Sequence, residues 1–161
     1  MMKKKFSIGF MQGRIIGSEN KKFIQFFPSK NWINEFRIAK KNHIRNVELT
    51  ANLENLIDNP VYNENLIKKY FVEKKKNRII ADSLTCDFFM QKPFFKLRKE
   101  NSEIHKKILE KIIKTSQKIG IKKFVLPLVD NSSIKNKIQE NKLRKYLTSR
   151  KFQTILRKNS L

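Results

Sequence analysis

Apolar and polar positions along this chain follow two alternating rhythms. Four short apolar runs, Phe6–Met11 (FSIGFM), Ile44–Leu49 (IRNVEL), Ile79–Cys86 (IIADSLTC) and Phe124–Leu128 (FVLPL), recur about every 40 residues and read as buried strands. Helical spacing fills the gaps. Trp32, Phe36 and Ala39 mark a first helix, with Ser29 available as its cap. Leu66, Ile67, Tyr70 and Phe71 mark a second, after the Asn59-Pro60 turn. In the third, Ile104, Ile108 and Ile112 form one row and Leu109 and Ile113 widen it; Ser102 can cap its start and Gly120 ends it. A fourth helix is expected to start at Ser132 or Ser133. Strand and helix in strict alternation predict an α/β fold of parallel βα units. No sequence repeat accompanies the period, which argues against a solenoid.

The segment from Lys137 to Leu161 breaks this pattern. It is strongly basic, has Glu140 as its only acid, and shows interrupted periodicity at Leu143, Tyr146, Leu147, Phe152, Ile155 and Leu156. Two readings fit it: a fourth helix with a loose tail, or coding sequence that is out of frame or decayed. The organisation expected is therefore residues 1–136 as one α/β unit and 137–161 as a basic helix or tail.

Composition sets outer limits. The 161 residues, 39% hydrophobic with thirteen Phe, suffice for one domain with a real core. They are too few for a complete eight-stranded α/β barrel, which takes about 250. A net charge of +23 raises the question of nucleic acid or an acidic surface as partner. Lys far outnumbers Arg, however, and Asn and Ile are abundant, the usage of AT-rich codons. Arg is the residue whose planar fork grips phosphates and guanine edges. The basic residues also spread along the whole chain. The expectation is weak, sequence-independent nucleic-acid binding that falls steeply with salt. Cys86 is the single cysteine, which fits a reducing, cytoplasmic setting. No apolar run approaches the roughly 18 residues of a membrane helix, so no membrane partner is expected. Gly9 and Gly13 are too few for a dinucleotide-binding loop.

Four stretches carry a family likeness: Phe6–Arg14 (FSIGFMQGR), Asn46–Leu49 (NVEL), Asp82–Phe95 (DSLTCDFFMQKPFF) and Val125–Asn136 (VLPLVDNSSIKN). They resemble the first four units of sugar phosphate isomerase/epimerase proteins, xylose isomerase-like TIM barrels related in fold to the AP endonuclease type. The likeness covers residues 6–136. It implies a partial TIM barrel with four strands, and isomerisation or epimerisation of a sugar or sugar phosphate by proton transfer next to a carbonyl. It implies a divalent metal (Mg, Mn or Zn) held by Glu, Asp and His at the ends of later strands, hence not bound by this chain alone. It also implies that the open sheet is covered by self-association or by a complementary C-terminal half. The alternatives are a basic nucleic-acid-binding protein and a non-catalytic remnant.

Strand ends are where such folds place their sites. Glu48, at the end of the second strand, is the candidate catalytic carboxylate. Gln12 and Arg14 after the first strand, Asp87 after the third, and Asp130, Asn131 and Ser132 after the fourth are the candidate substrate contacts. Glu48, Asp87 and Asp130 come from different strand ends with no His beside them, so no metal site is expected among them.

Overall fold

The computed structural model describes residues 8–16 and 26–157. Four strands, β1 (Gly9–Met11), β2 (Asn46–Thr50), β3 (Ile80–Thr85) and β4 (Lys123–Val125), form one parallel sheet in the order β1-β2-β3-β4. Between them lie α1 (Trp32–Lys41), α2 (Ile67–Lys76), the short α3 (Asp87–Gln91) and the long α4 (Lys99–Lys118). The α/β alternation and its parallel pairing are those the apolar runs predict. The expected start of the first strand at Phe6 lies outside the described residues. The fourth ladder stops at Val125, two residues before Pro127, which has no N–H to donate.

The sheet has one apolar and one polar face. Val47, Leu49, Ala51, Ala81, Leu84 and Cys86 are buried toward the helices. There they meet Phe36, Tyr70, Leu109 and Ile112 in a single core. Trp32, Phe36 and Tyr70 stack edge-on and tilted where α1 meets α2. The other face carries Asn46, Glu48, Ser83 and Lys123. Strand alternation explains the split. A bulge in β3 sustains it, since Asn46 pairs with Ile80 but Glu48 with Ser83. The extra residue leaves both Ala81 and Leu84 on the helix side.

Three helices end by one device. His43, Arg78 and Gly120 follow α1, α2 and α4 with φ of 58°, 55° and 89°. In each case the next residue, Ile44, Ile79 or Ile121, donates its N–H back to the last turn, to Ala39, Lys74 or Ser116, at 2.9 to 3.0 Å. This left-handed cap satisfies helix carbonyls and turns the chain into the following strand.

Three helix starts differ from expectation. α1 begins at Trp32 with Asn31, not Ser29, at its cap position. α4 begins at Lys99, ahead of Ser102, whose N–H already donates to Arg98 O inside the helix. The fourth-strand loop does not open a helix at Ser132 or Ser133. A 3₁₀ turn occupies Asp130–Ser132, and α5 (Lys137–Leu147) starts where Asn136 accepts from Gln139 N–H at 3.0 Å. The basic segment then folds as α5 and α6 (Arg150–Arg157), with the break at Thr148-Ser149. Leu143, Phe152 and Ile155 join the main core, so the core crosses the compositional boundary at 136. The Tyr146 ring lies 4.6 Å from Phe94 and 4.8 Å from Phe152. Gln117 donates to Ile155 O and Leu156 O, which fixes α6 to α4.

Candidate functional site at the strand ends

Along the first halves of the strands the polar face opens into a concavity of about 440 Å³ lined by Met11, Asn46, Glu48, Asp82, Ser83 and Lys123, with Asp87 and Glu54 outside its lining. Register puts Glu48 beside Met11 on one side and Ser83 on the other. One pair further along, the Thr85 hydroxyl donates to Glu48 Oε1. A hydroxyl donor holds the carboxylate in place and leaves its second oxygen free for other partners.

Asp87 opens α3 directly after β3 and is 6% exposed. Burial, then the negative charges of Glu48 and Glu54, push its carboxyl up from the ordinary 3.8 to about 6. Phe88 N–H donates to Ala51 O at 2.7 Å, tying α3 to the end of β2 and bringing the third-strand carboxylate beside those of the second. Glu54 completes the trio. Partial burial raises it, but donors outweigh this and hold it below the ordinary value: the Asn52 amide first, its own backbone N–H, and Gln91. Asn52 Nδ2 lies 2.8 Å from Glu54 Oε2, and Gln91 Nε2 3.2 Å from the same oxygen. So Glu54 is held ionised by amides while the nearby Asp87 is pushed toward neutrality. That shift leaves Asp87 able to change protonation state close to neutral pH.

The other expected contacts are placed as follows. Gln12 is 2% exposed, and its Oε1 accepts from Thr50 N–H at 3.3 Å, stitching β1 to β2; its side chain serves the sheet instead of the mouth. Arg14 is exposed on the turn after β1 and makes no ion pair among the described residues. Asp130 and Asn131 are exposed on the turn after β4, which packs against α3. Ser132 is fully buried, and its hydroxyl donates to Pro127 O at 2.5 Å and Val129 O at 2.7 Å, so its proton is spent within the loop. Without a helix at 131–133, this loop offers no row of free helix amides to a ligand.

A carboxylate the sequence reading passed over lies beside the rim. Glu35 of α1 is fully buried, and its Oε1 accepts from Gly13 N–H at 2.8 Å and Ile15 N–H at 3.4 Å. Among the described residues its Oε2 has no hydrogen-bond partner, and burial outweighs the loop amides, pushing its pKa up to about 7. Gly13 has φ 88°, and a Cβ there would stand 2.3 Å from Phe26 O, so only glycine fits. The signal was present in the sequence: Glu35 falls on the apolar stripe of Trp32, Phe36 and Ala39, one polar residue on a face otherwise aimed at the core. Cys86 is fully buried and its thiol is pushed up to about 12, which makes it inert as a nucleophile.

Scans of protein-family models, of curated proteins and of solved structures return no match to this chain. Its site is therefore read from its own geometry. Among the described residues no three His, Cys, Asp or Glu side chains stand close enough together to hold a metal ion. The divalent ion implied by the family likeness thus has no ligand set among the described residues. Nor is any described helix long and apolar enough to cross a membrane.

Proposed function

We propose that the mouth formed by the ends of β2 and β3 binds a sugar or sugar phosphate and exchanges the proton on the carbon next to its carbonyl, the chemistry of an isomerase or epimerase. The observation that carries this reading is the Asp87 carboxyl at the start of α3, with a pKa of about 6, within electrostatic reach of the hydrogen-bonded Glu48 of β2. A general base works best when its pKa lies near the working pH. Ionised Asp87 takes the proton from the carbon; the electron pair of the C–H bond forms a carbon–carbon double bond and the π pair of the carbonyl moves onto its oxygen, giving an enediolate. Return of the proton to the adjacent carbon, with the hydroxyl proton passing from one oxygen to the other, isomerises the sugar; delivery to the opposite face of the same carbon, which needs a second acid, epimerises it. Glu48, when protonated, is the neighbouring group that would supply that proton. Polar side chains around it, Asn46 and Ser83, suit a polyhydroxylated ligand.

The test is deuterium exchange. The chain is incubated in D₂O with a panel of aldoses, ketoses and their phosphate esters, and loss of the proton signal next to the carbonyl is followed by NMR. Asp87→Asn is expected to slow exchange about 10²-fold or more, the usual contribution of a general base. Absence of exchange on every member of the panel would end this reading.

A further inference from the structure

A second concavity lies away from the mouth, on the outer side of the helices. It is a groove of about 890 Å³ between α4 and α6. Lys107, Lys111, Lys114 and Lys118 line one wall. Their spacing of four, three and four residues puts them on one face of α4, in a row about 16 Å long at the helical rise. Arg150 and Lys151 of α6 supply further cations. The groove holds two carboxylates, and both are already paired: Glu64 with Lys118 at 2.8 Å and Glu110 with Lys151 at 2.8 Å. Lys111 Nζ sits 3.9 Å above the Tyr62 ring. Lys107, Lys114 and Arg150 make no ion pair among the described residues. Thr115, also part of the lining, is fully buried and its hydroxyl has no hydrogen-bond partner.

Six cations against two carboxylates on one concave surface repel each other and focus a positive potential. A ligand with matching charges relieves that repulsion. One compact anion spans only part of the row, whereas a linear anion with phosphates at intervals meets all of it. No aromatic residue lines the groove, so there is no platform on which a base could stack. We infer that the α4–α6 groove binds a chain of phosphates through its backbone charges and without regard to sequence. Two ligands share that chemistry, a single nucleic-acid strand and linear polyphosphate. The inference is independent of the proton-exchange reading, which concerns the opposite face of the sheet.

The experiment is fluorescence anisotropy with a short labelled oligo(dT), with inorganic polyphosphate as competitor, over a series of salt concentrations. Two triple variants of equal charge are compared. One removes the free groove cations (Lys107→Gln, Lys114→Gln, Arg150→Gln). The other removes exposed cations of α1 and α2 (Arg37→Gln, Lys41→Gln, Lys75→Gln). All six side chains are exposed, so both variants keep the fold. The groove triple is expected to lose at least about tenfold in affinity, and its salt slope to fall by about 2, near 0.7 for each lost contact to a single strand. The control is expected to change less than about threefold. Displacement by polyphosphate at equal phosphate concentration assigns the site to a free phosphate chain; its failure to displace assigns it to the nucleic-acid strand. Equal losses in the two variants, or no binding of either probe by the unmodified chain, would overturn the inference.

Discussion

Glu35 shows how one residue links loop geometry to pH. Its Oε1 gathers the Gly13 and Ile15 amides, and among the described residues its Oε2 has no hydrogen-bond partner. Burial lifts its pKa from the ordinary 4.5 to about 7, so the folded chain holds this proton more tightly than the unfolded one. Below about pH 4.5 both states are protonated and the group costs nothing. As pH rises toward 7 the unfolded chain releases its proton first, and stability falls. Glu35→Gln is therefore expected to change stability by less than about 1 kcal/mol at pH 5 and to raise it by about 3 kcal/mol at pH 8, measured by urea unfolding. Loss of stability at pH 8 would instead show that the ionised carboxylate and its loop amides are net favourable. Single-residue roles of this kind were legible only in part. Glu48 and Asp87 could be named because strand ends announce themselves in the apolar pattern. Glu35 could not be assigned a role, because the loop that it holds is defined by the contact of Gly13 with Phe26 and not by spacing.

At the scale of elements, alternation was enough to give the number, type and order of the strands. Element starts were less legible, and the reason is physical. A serine near a helix start is a cap only if the backbone at that point has left the helix. Ser102 sits inside α4, and Ser132 spends its hydroxyl on Pro127 and Val129. Glycine makes the left-handed helix end legible at Gly120, yet His43 and Arg78 adopt the same left-handed backbone. For a residue with a Cβ that conformation costs roughly 1–2 kcal/mol. Glycine avoids the cost but gains freedom in the unfolded chain, which offsets part of it. His43 is exposed, so His43→Gly is expected to stabilise the protein by about 0.5–1 kcal/mol, read as a rise in melting temperature. A destabilised variant would show that the imidazole contributes contacts which outweigh the backbone strain.

The whole molecule joins two surfaces of opposite character across one layered core. On the sheet side, parallel register brings carboxylates from separate segments within electrostatic reach of one another. On the helix side, packing of α6 against α4 completes a basic groove. The row of lysines on α4 is visible in the sequence, but its second wall comes from a segment whose periodicity is interrupted, so the groove emerges only when Phe152 and Ile155 are seated in the core. Dispersed charge in the chain thus becomes local charge in the fold. The mouth likewise exists only as an assembly, since Glu48, Glu54 and Asp87 acquire their mutual influence through sheet register and the tie between Phe88 and Ala51. That makes the titration of the Asp87 carboxyl the most direct check on the account. Its carbon resonance, followed by NMR from pH 3 to pH 9, is predicted to titrate near 6 in the folded chain, to move downward in Glu48→Gln, and to return to the ordinary value near 3.8 in urea. A folded-state midpoint near 3.8, unmoved by Glu48→Gln, would contradict it.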